Sequence, residues 1–188
     1  MAVIPAGSVS LAQENFRVTI ADCATFRTLV GASDRAGALA HLYHEGLPEP
    51  EDGTEHTKEE HESLRPWGIV FTAENNGFRR RMVSTGGFRS SGRLRLRLCR
   101  TCPATIEEDD EEIPATDVEP TSDDAFEWKN IVGQIIAELC QFAVAGDPEH
   151  LIFEEIQLDF GPFASAPELA PTQGVWQGAE LSVNWGGS

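Results

Sequence analysis

Asp123 to Gly146 reads DDAFEWKNIVGQIIAELCQFAVAG. The apolar residues Trp128, Ile131, Val132, Ile135, Ile136, Leu139, Phe142 and Ala143 recur at steps of three and four, the spacing of one broad helical face. Asp124 followed by Glu127 has the form of a capping box, and early acidic residues suit the positive end of a helix dipole. Gly146 stands where a left-handed C-terminal residue is wanted, and Pro148 blocks continuation. An apolar stripe this wide needs a sheet to lie on. The segment therefore predicts a long core helix crossing a sheet, with Cys140 inside it as a buried thiol.

Strands are legible on both sides of that helix. Trp67 to Thr72 alternates, with Trp67, Ile69 and Phe71 facing one way. Asn75-Asn76-Gly77 is a turn signal, after which Phe78 to Val83 is expected to return as a second strand. Gly86-Gly87 marks another turn. Arg93 to Arg100 places Leu94, Leu96 and Leu98 on one face and Arg93, Arg95 and Arg97 on the other. Beyond the helix, Ile156, Leu158 and Phe160 alternate. Leu151 and Phe153 are out of phase with them, which predicts a bulge near Glu154 and Glu155. In the last strand Val175, Ala179, Leu181, Val183 and Trp185 share one face, and Glu180, Ser182 and Asn184 the other.

The N-terminal part reads as helical. Residues 1–10 form a loose arm, and Asn15 to Ala21 is either a short strand or a helix start. Asp22 is a plausible cap for a helix from Cys23 to Val30, ended by Gly31. Ser33 or Asp34 caps a second helix that includes Leu39, Leu42 and Tyr43 and is stopped by Gly46 and Pro48. Residues 48–64 and 103–122 are acidic loops, the second holding the run Glu107, Glu108, Asp109, Asp110, Glu111 and Glu112. The fold class that follows is α+β in a single domain spanning 1–188. N-terminal helices and one long helix pack against a mostly antiparallel sheet, or a mixed one.

The chain has 188 residues and a formal net charge of -17, from 31 acidic and 14 basic side chains. That balance opposes binding of the whole surface to nucleic acid or anionic membranes. No secretory signal is expected at Met1 to Gly7, and no apolar run approaches the ~20 residues that span a bilayer. Four scattered cysteines suit a reducing cytosol better than a disulfide framework.

Chemical motifs are weak. Cys99-Arg100-Thr101-Cys102 is a CxxC without the second pair that a zinc site needs. His41 and His44 lie three apart on the expected helix, His44 near its end, and neither they nor His56 and His61 match HExxH. Gly86-Gly87 with Arg89, Ser90 and Ser91 lacks the phosphate-loop pattern. No catalytic residue, metal ligand or cofactor is assigned. The basic residues are distinctive: eight of the 14 fall between Arg79 and Arg100. Arginines on one strand face are expected outside the core. Arg79, Arg81, Arg93, Arg95 and Arg97 then form either a solvated face or a contact surface for phosphates or for the acidic loops of a neighbouring copy. Reversing Arg93, Arg95 and Arg97 together should then spare the fold and weaken assembly.

Three strings carry a resemblance: Phe26-Arg27-Thr28-Leu29-Val30-Gly31-Ala32 with Ala38 to Tyr43, Ser91 to Leu98, and Val175 to Trp185. Together with the element order they resemble phage tail terminator and head–tail completion proteins of the lambda type. The resemblance implies a structural virion protein made in the host cytoplasm and placed in the tail or neck. It implies a homo-oligomeric ring, a hexamer, with no catalytic site, touching the tail tube protein and the head connector. DNA would pass through without specific binding, with Glu107 to Glu112 facing the lumen or a partner. The alternative reading is an acidic binding protein, such as a DNA-mimic inhibitor, or another tail or neck protein.

Overall fold

The computed structural model describes residues 9–48, 66–72, 77–80, 88–101, 122–145, 149–160 and 176–186. Helix α1 (Val9–Asp22) resolves the strand-or-helix alternative in favour of helix, and it takes in Val9 and Ser10 from the expected arm. Its buried residues, Ala12, Phe16, Thr19 and Ile20 among them, recur at three and four. Asp22 ends α1 instead of capping the next helix. The N-cap of α2 (Ala24–Val30) is Cys23, whose side chain makes no capping bond. The cap comes from another helix: the Glu138 carboxylate accepts from the Thr25 backbone N–H and hydroxyl, satisfying a donor at the helix start. Gly31 closes α2 at φ 69°, a left-handed conformation that glycine adopts without a Cβ penalty.

Asp34 caps α3 (Arg35–Leu39), its carboxylate accepting from Gly37 N–H. This helix stops earlier than the sequence suggests. Leu42 and Tyr43 belong to strand β1 (Leu42–His44), which pairs in parallel with β2 (Trp67–Thr72). Beyond β1, Glu45 takes a left-handed φ of 59°. Its carboxylate accepts from the Thr72 N–H and hydroxyl and from Gln13. A side chain thus stands where the next β1 residue would have been, and the edge ends there.

Strand β4 (Phe88–Thr101) is the spine of the sheet. On one side it pairs with β6 (Trp176–Gly186) over Ser91 to Thr101. On the other it pairs with β2 from Leu94 to Cys99 and with β3 (Gly77–Arg80) from Phe88 to Ser91. Both β2 and β3 are antiparallel to β4, and Ser91 has Gly77 and Gly186 as its two partners. So β3 runs in the same direction as β2 along the same flank, and the two do not form the expected hairpin; Asn75 and Asn76 lie outside the described residues. Strand β5 (Phe153–Asp159) lies outside β6. The order is β1-β2-β4-β6-β5, with β3 on the flank of β4, all antiparallel apart from β1 with β2. A register shift between Phe153 and Glu155 is the expected bulge.

Helix α4 (Ser122–Ala145) lies against this sheet. Trp128, Val132, Ile135 and Leu139 join Leu94, Leu96, Leu98, Ala179, Leu181 and Val183 in one buried cluster with α1 and α2. Trp128 Nε1 donates to Gly178 O at 3.1 Å, which anchors the start of α4 on β6. Because α4 begins at Ser122, Asp124 lies inside the helix instead of at its N-cap position. Gly68 faces the same core, where a Cβ would come within 2.7 Å of Leu42 Cδ2. A smaller cluster of Trp67, Ile69 and Cys99 occupies the opposite face, with Tyr43, Leu47 and Phe71 against it.

Candidate interaction face of the sheet

The odd-numbered side chains of β4 fall on the face opposite the helices. Register then determines what each meets. Arg97 is the cross-strand partner of Glu180, and its Nε donates to Glu180 Oε2 at 2.6 Å. The other oxygen, Oε1, lies 3.5 Å from Arg95 Nη1. The guanidinium of Arg97 stacks 4.8 Å from the Phe71 ring centroid, a cation–π geometry. Arg97 is only 7% exposed. The expectation that all three arginines stand outside the core is therefore wrong for Arg97. Burial is tolerated because a carboxylate and an aromatic face replace its water.

Further along the face, Arg93 is exposed and its Nε donates to Asn184 Oδ1 at 3.1 Å. Asn184 Nδ2 donates to Glu155 Oε2 at 2.8 Å, and Gln157 Nε2 donates to Glu155 Oε1 at 3.1 Å. A hydrogen-bonded lattice thus runs across β4, β6 and β5, with charges of both signs. Such a surface suits a polar contact better than a substrate pocket.

The other basic residues are dispersed. Arg79 sits in β3 opposite Arg89. Arg81 and the run Glu107, Glu108, Asp109, Asp110, Glu111 and Glu112 lie outside the described residues. Arg100 is on the helix face, where it bonds Glu127 Oε2 at 3.0 Å and stacks 5.3 Å from the Trp128 ring. Glu127, read as half of a capping box, instead neutralises that arginine.

A second charged group links elements distant in sequence. Arg35 grips Asp22 with both Nε and Nη2, at 2.9 and 2.6 Å. Its Nη1 bonds Glu149 at 2.7 Å, and His150 Nε2 lies 2.8 Å from Asp22 Oδ2. The His150 ring packs on Phe142 with centroids 4.6 Å apart. Burial acts to raise the Asp22 pKa, but hydrogen bonds from Arg35 and His150 hold it below the usual carboxylate range. Those same carboxylates raise the pKa of Arg35. The cluster ties the end of α1, the start of α3 and the lead into β5. Nothing local in the sequence announces it, because its members lie as many as 128 residues apart.

The remaining motifs separate. His41 follows α3, with Nδ1 3.1 Å from Pro66 O, while His44 ends β1. They do not share a helix. His44 Nε2 lies 2.6 Å from Arg17 Nη1 and 3.2 Å from Glu14. Burial and the Arg17 charge together outweigh Glu14 and lower its pKa. Cys99 is buried, and Cys102 lies outside the described residues. Cys23 is also buried; burial first, then Glu138 and Asp22, raise its thiol pKa, which disfavours the reactive thiolate. Cys140 is exposed, contrary to expectation. Among the described residues no group of three or more His, Cys, Asp and Glu is placed to hold a metal ion. No described helix is long and apolar enough to cross a membrane. A scan against protein-family models finds no match, and a search of curated proteins finds none either.

Proposed function

We propose that this chain is a structural virion protein that closes into a ring, a hexamer, at the end of a phage tail tube and joins the tube to the head connector. The observation that carries the reading is the array of hydrogen bonds and ion pairs among Arg93, Arg95, Glu180, Asn184 and Glu155 on the helix-free face. A broad face with charges of both signs and built on rigid strands suits repeated contact with copies and neighbours. Element order is in keeping with the reading: N-terminal helices, a run of strands, a long helix against the sheet and two closing strands resemble the layout expected of a tail terminator. In this role the protein works by shape, and its net charge of -17 lets DNA pass through the bore without adhering. The exposed basic residues of the strand face, Arg93 among them, serve contacts between proteins.

The test is electron microscopy of the purified protein, alone and mixed with its tail tube protein. Closed rings, or rings capping tubes of defined length, are expected. A chain that remains monomeric in both samples overturns the reading.

A further inference from the structure

We propose that strand β5 of one copy pairs with strand β3 of the next, so that adjacent copies share one continuous antiparallel sheet. This interface rests on the ring reading and specifies how its subunits join. Three observations lead to it.

The first is position. On one flank of β4, β3 pairs with Phe88 to Ser91; on the other, β6 ends opposite Ser91 and β5 begins one level further on, opposite Trp185, so the two outer strands are offset along the sheet and neighbouring copies would meet with that stagger. Among the described residues no strand lies beyond β3 or beyond β5. An open edge presents unpaired backbone groups and is a template for another strand. The third edge, β1, is different: it has three residues, and Glu45 closes its end by taking the Thr72 N–H.

The second is direction. Each step from β3 to β4, β6 and β5 is antiparallel. Hence β3 and β5 run opposite ways, and placing β5 of one copy beside β3 of another continues the alternation unbroken. The contact uses two different edges of each copy, so it is heterologous and closes into a ring when the rotation between copies permits.

The third is charge and exposure. Strand β5 reads Phe-Glu-Glu-Ile-Gln-Leu-Asp, with three acids and no base. Strand β3 reads Gly-Phe-Arg-Arg, with two bases and no acid. On β5, Glu154, Glu155 and Asp159 are exposed. Leu158 is 39% exposed and the preceding Ile152 57%, apolar surface that a neighbouring strand would cover. The bulge falls at the start of β5 and leaves Glu155 to Asp159 in regular register.

Charge reversal with complementation tests this. One variant carries Glu154→Lys and Asp159→Lys, and the other Arg79→Glu and Arg80→Glu. Native mass spectrometry and light scattering read assembly, and circular dichroism checks folding. Each variant alone should raise the subunit dissociation constant by about a hundredfold. Mixed together they should assemble in alternation, because each then meets an edge of opposite charge. Rescue on mixing requires folded chains, so it separates lost contact from lost fold. Wild-type rings that persist unchanged in both variants, or variants that lose only tube-protein binding, overturn this interface and leave the ring reading standing. A wild-type chain that never assembles overturns both.

Discussion

Arg97 sets the sharpest test of how the charged face is built. Its side chain is 9% exposed and that of its partner Glu180 is 18%. Arg97→Glu removes the cation from a largely desolvated pair, puts a second carboxylate against Glu180 and strips the Phe71 ring of its cation. Breaking a buried pair by removing one partner costs about 3–5 kcal/mol, to which the cation–π contact adds about 1 kcal/mol. Domains have about 5–15 kcal/mol of stability, so the loss is a large share of the total. For a chain of this length it lowers Tm by roughly 8–24 °C. Arg93 is exposed and bonded to Asn184, and Arg93→Glu should stay within about 0.5 kcal/mol of wild type. Urea titration at constant m measures both. The swap Arg97→Glu with Glu180→Arg should recover part of the loss, since the two side chains form one coupled unit. An Arg97→Glu protein within about 1 kcal/mol of wild type would refute the reasoning. Reversing Arg93, Arg95 and Arg97 together is thus no clean probe of assembly, because one of the three residues supports the fold.

Gly68→Ala should destabilise by about 1–3 kcal/mol: the new methyl would lie 2.7 Å from Leu42 Cδ2, and Leu42 is itself too buried to swing aside; thermal melts check it. For Asp22 the folded-state pKa is depressed, so the stability it contributes is present above the unfolded value and is lost as pH falls through the folded value, below about pH 4. Asp22→Asn should cost about 1–2 kcal/mol at neutral pH and make the acid limb of stability shallower, as read by urea midpoints against pH. Native maleimide labelling should fall by one equivalent in Cys140→Ser, whereas Cys23 and Cys99 should react only after unfolding.

Periodic segments were legible because their pattern is local. The Leu94, Leu96, Leu98 alternation and the stripe from Trp128 to Leu139 each expose a period that only one element satisfies, and the out-of-phase Phe153 revealed the bulge. Strand β1 was hidden because three residues carry no period and each pairs with a β2 residue 26 positions further on, as Leu42 does with Gly68. Asn75-Asn76-Gly77 suggested a hairpin, but strand direction is decided by pairing with β4. Cys140 could have been placed: it is one residue past Leu139, about 100° around the helix from the core face. The Asp22, Arg35, Glu149 and His150 cluster, and the borrowed cap from Glu138, could not be read, because each depends on the finished packing. Arg97 was misjudged for the same reason, since only register sets Glu180 and Phe71 around it.

The last of the described strands in sequence order, β6, is an interior member of the sheet, lying between β4 and β5. While a ribosome is still making residues 176–186, β4 can already pair with β2 and β3, but nothing yet bridges β4 to β5. Strand β5 must wait for that segment to arrive before it can join the sheet, and clipping the segment would cut β5 off from β4 instead of trimming a border.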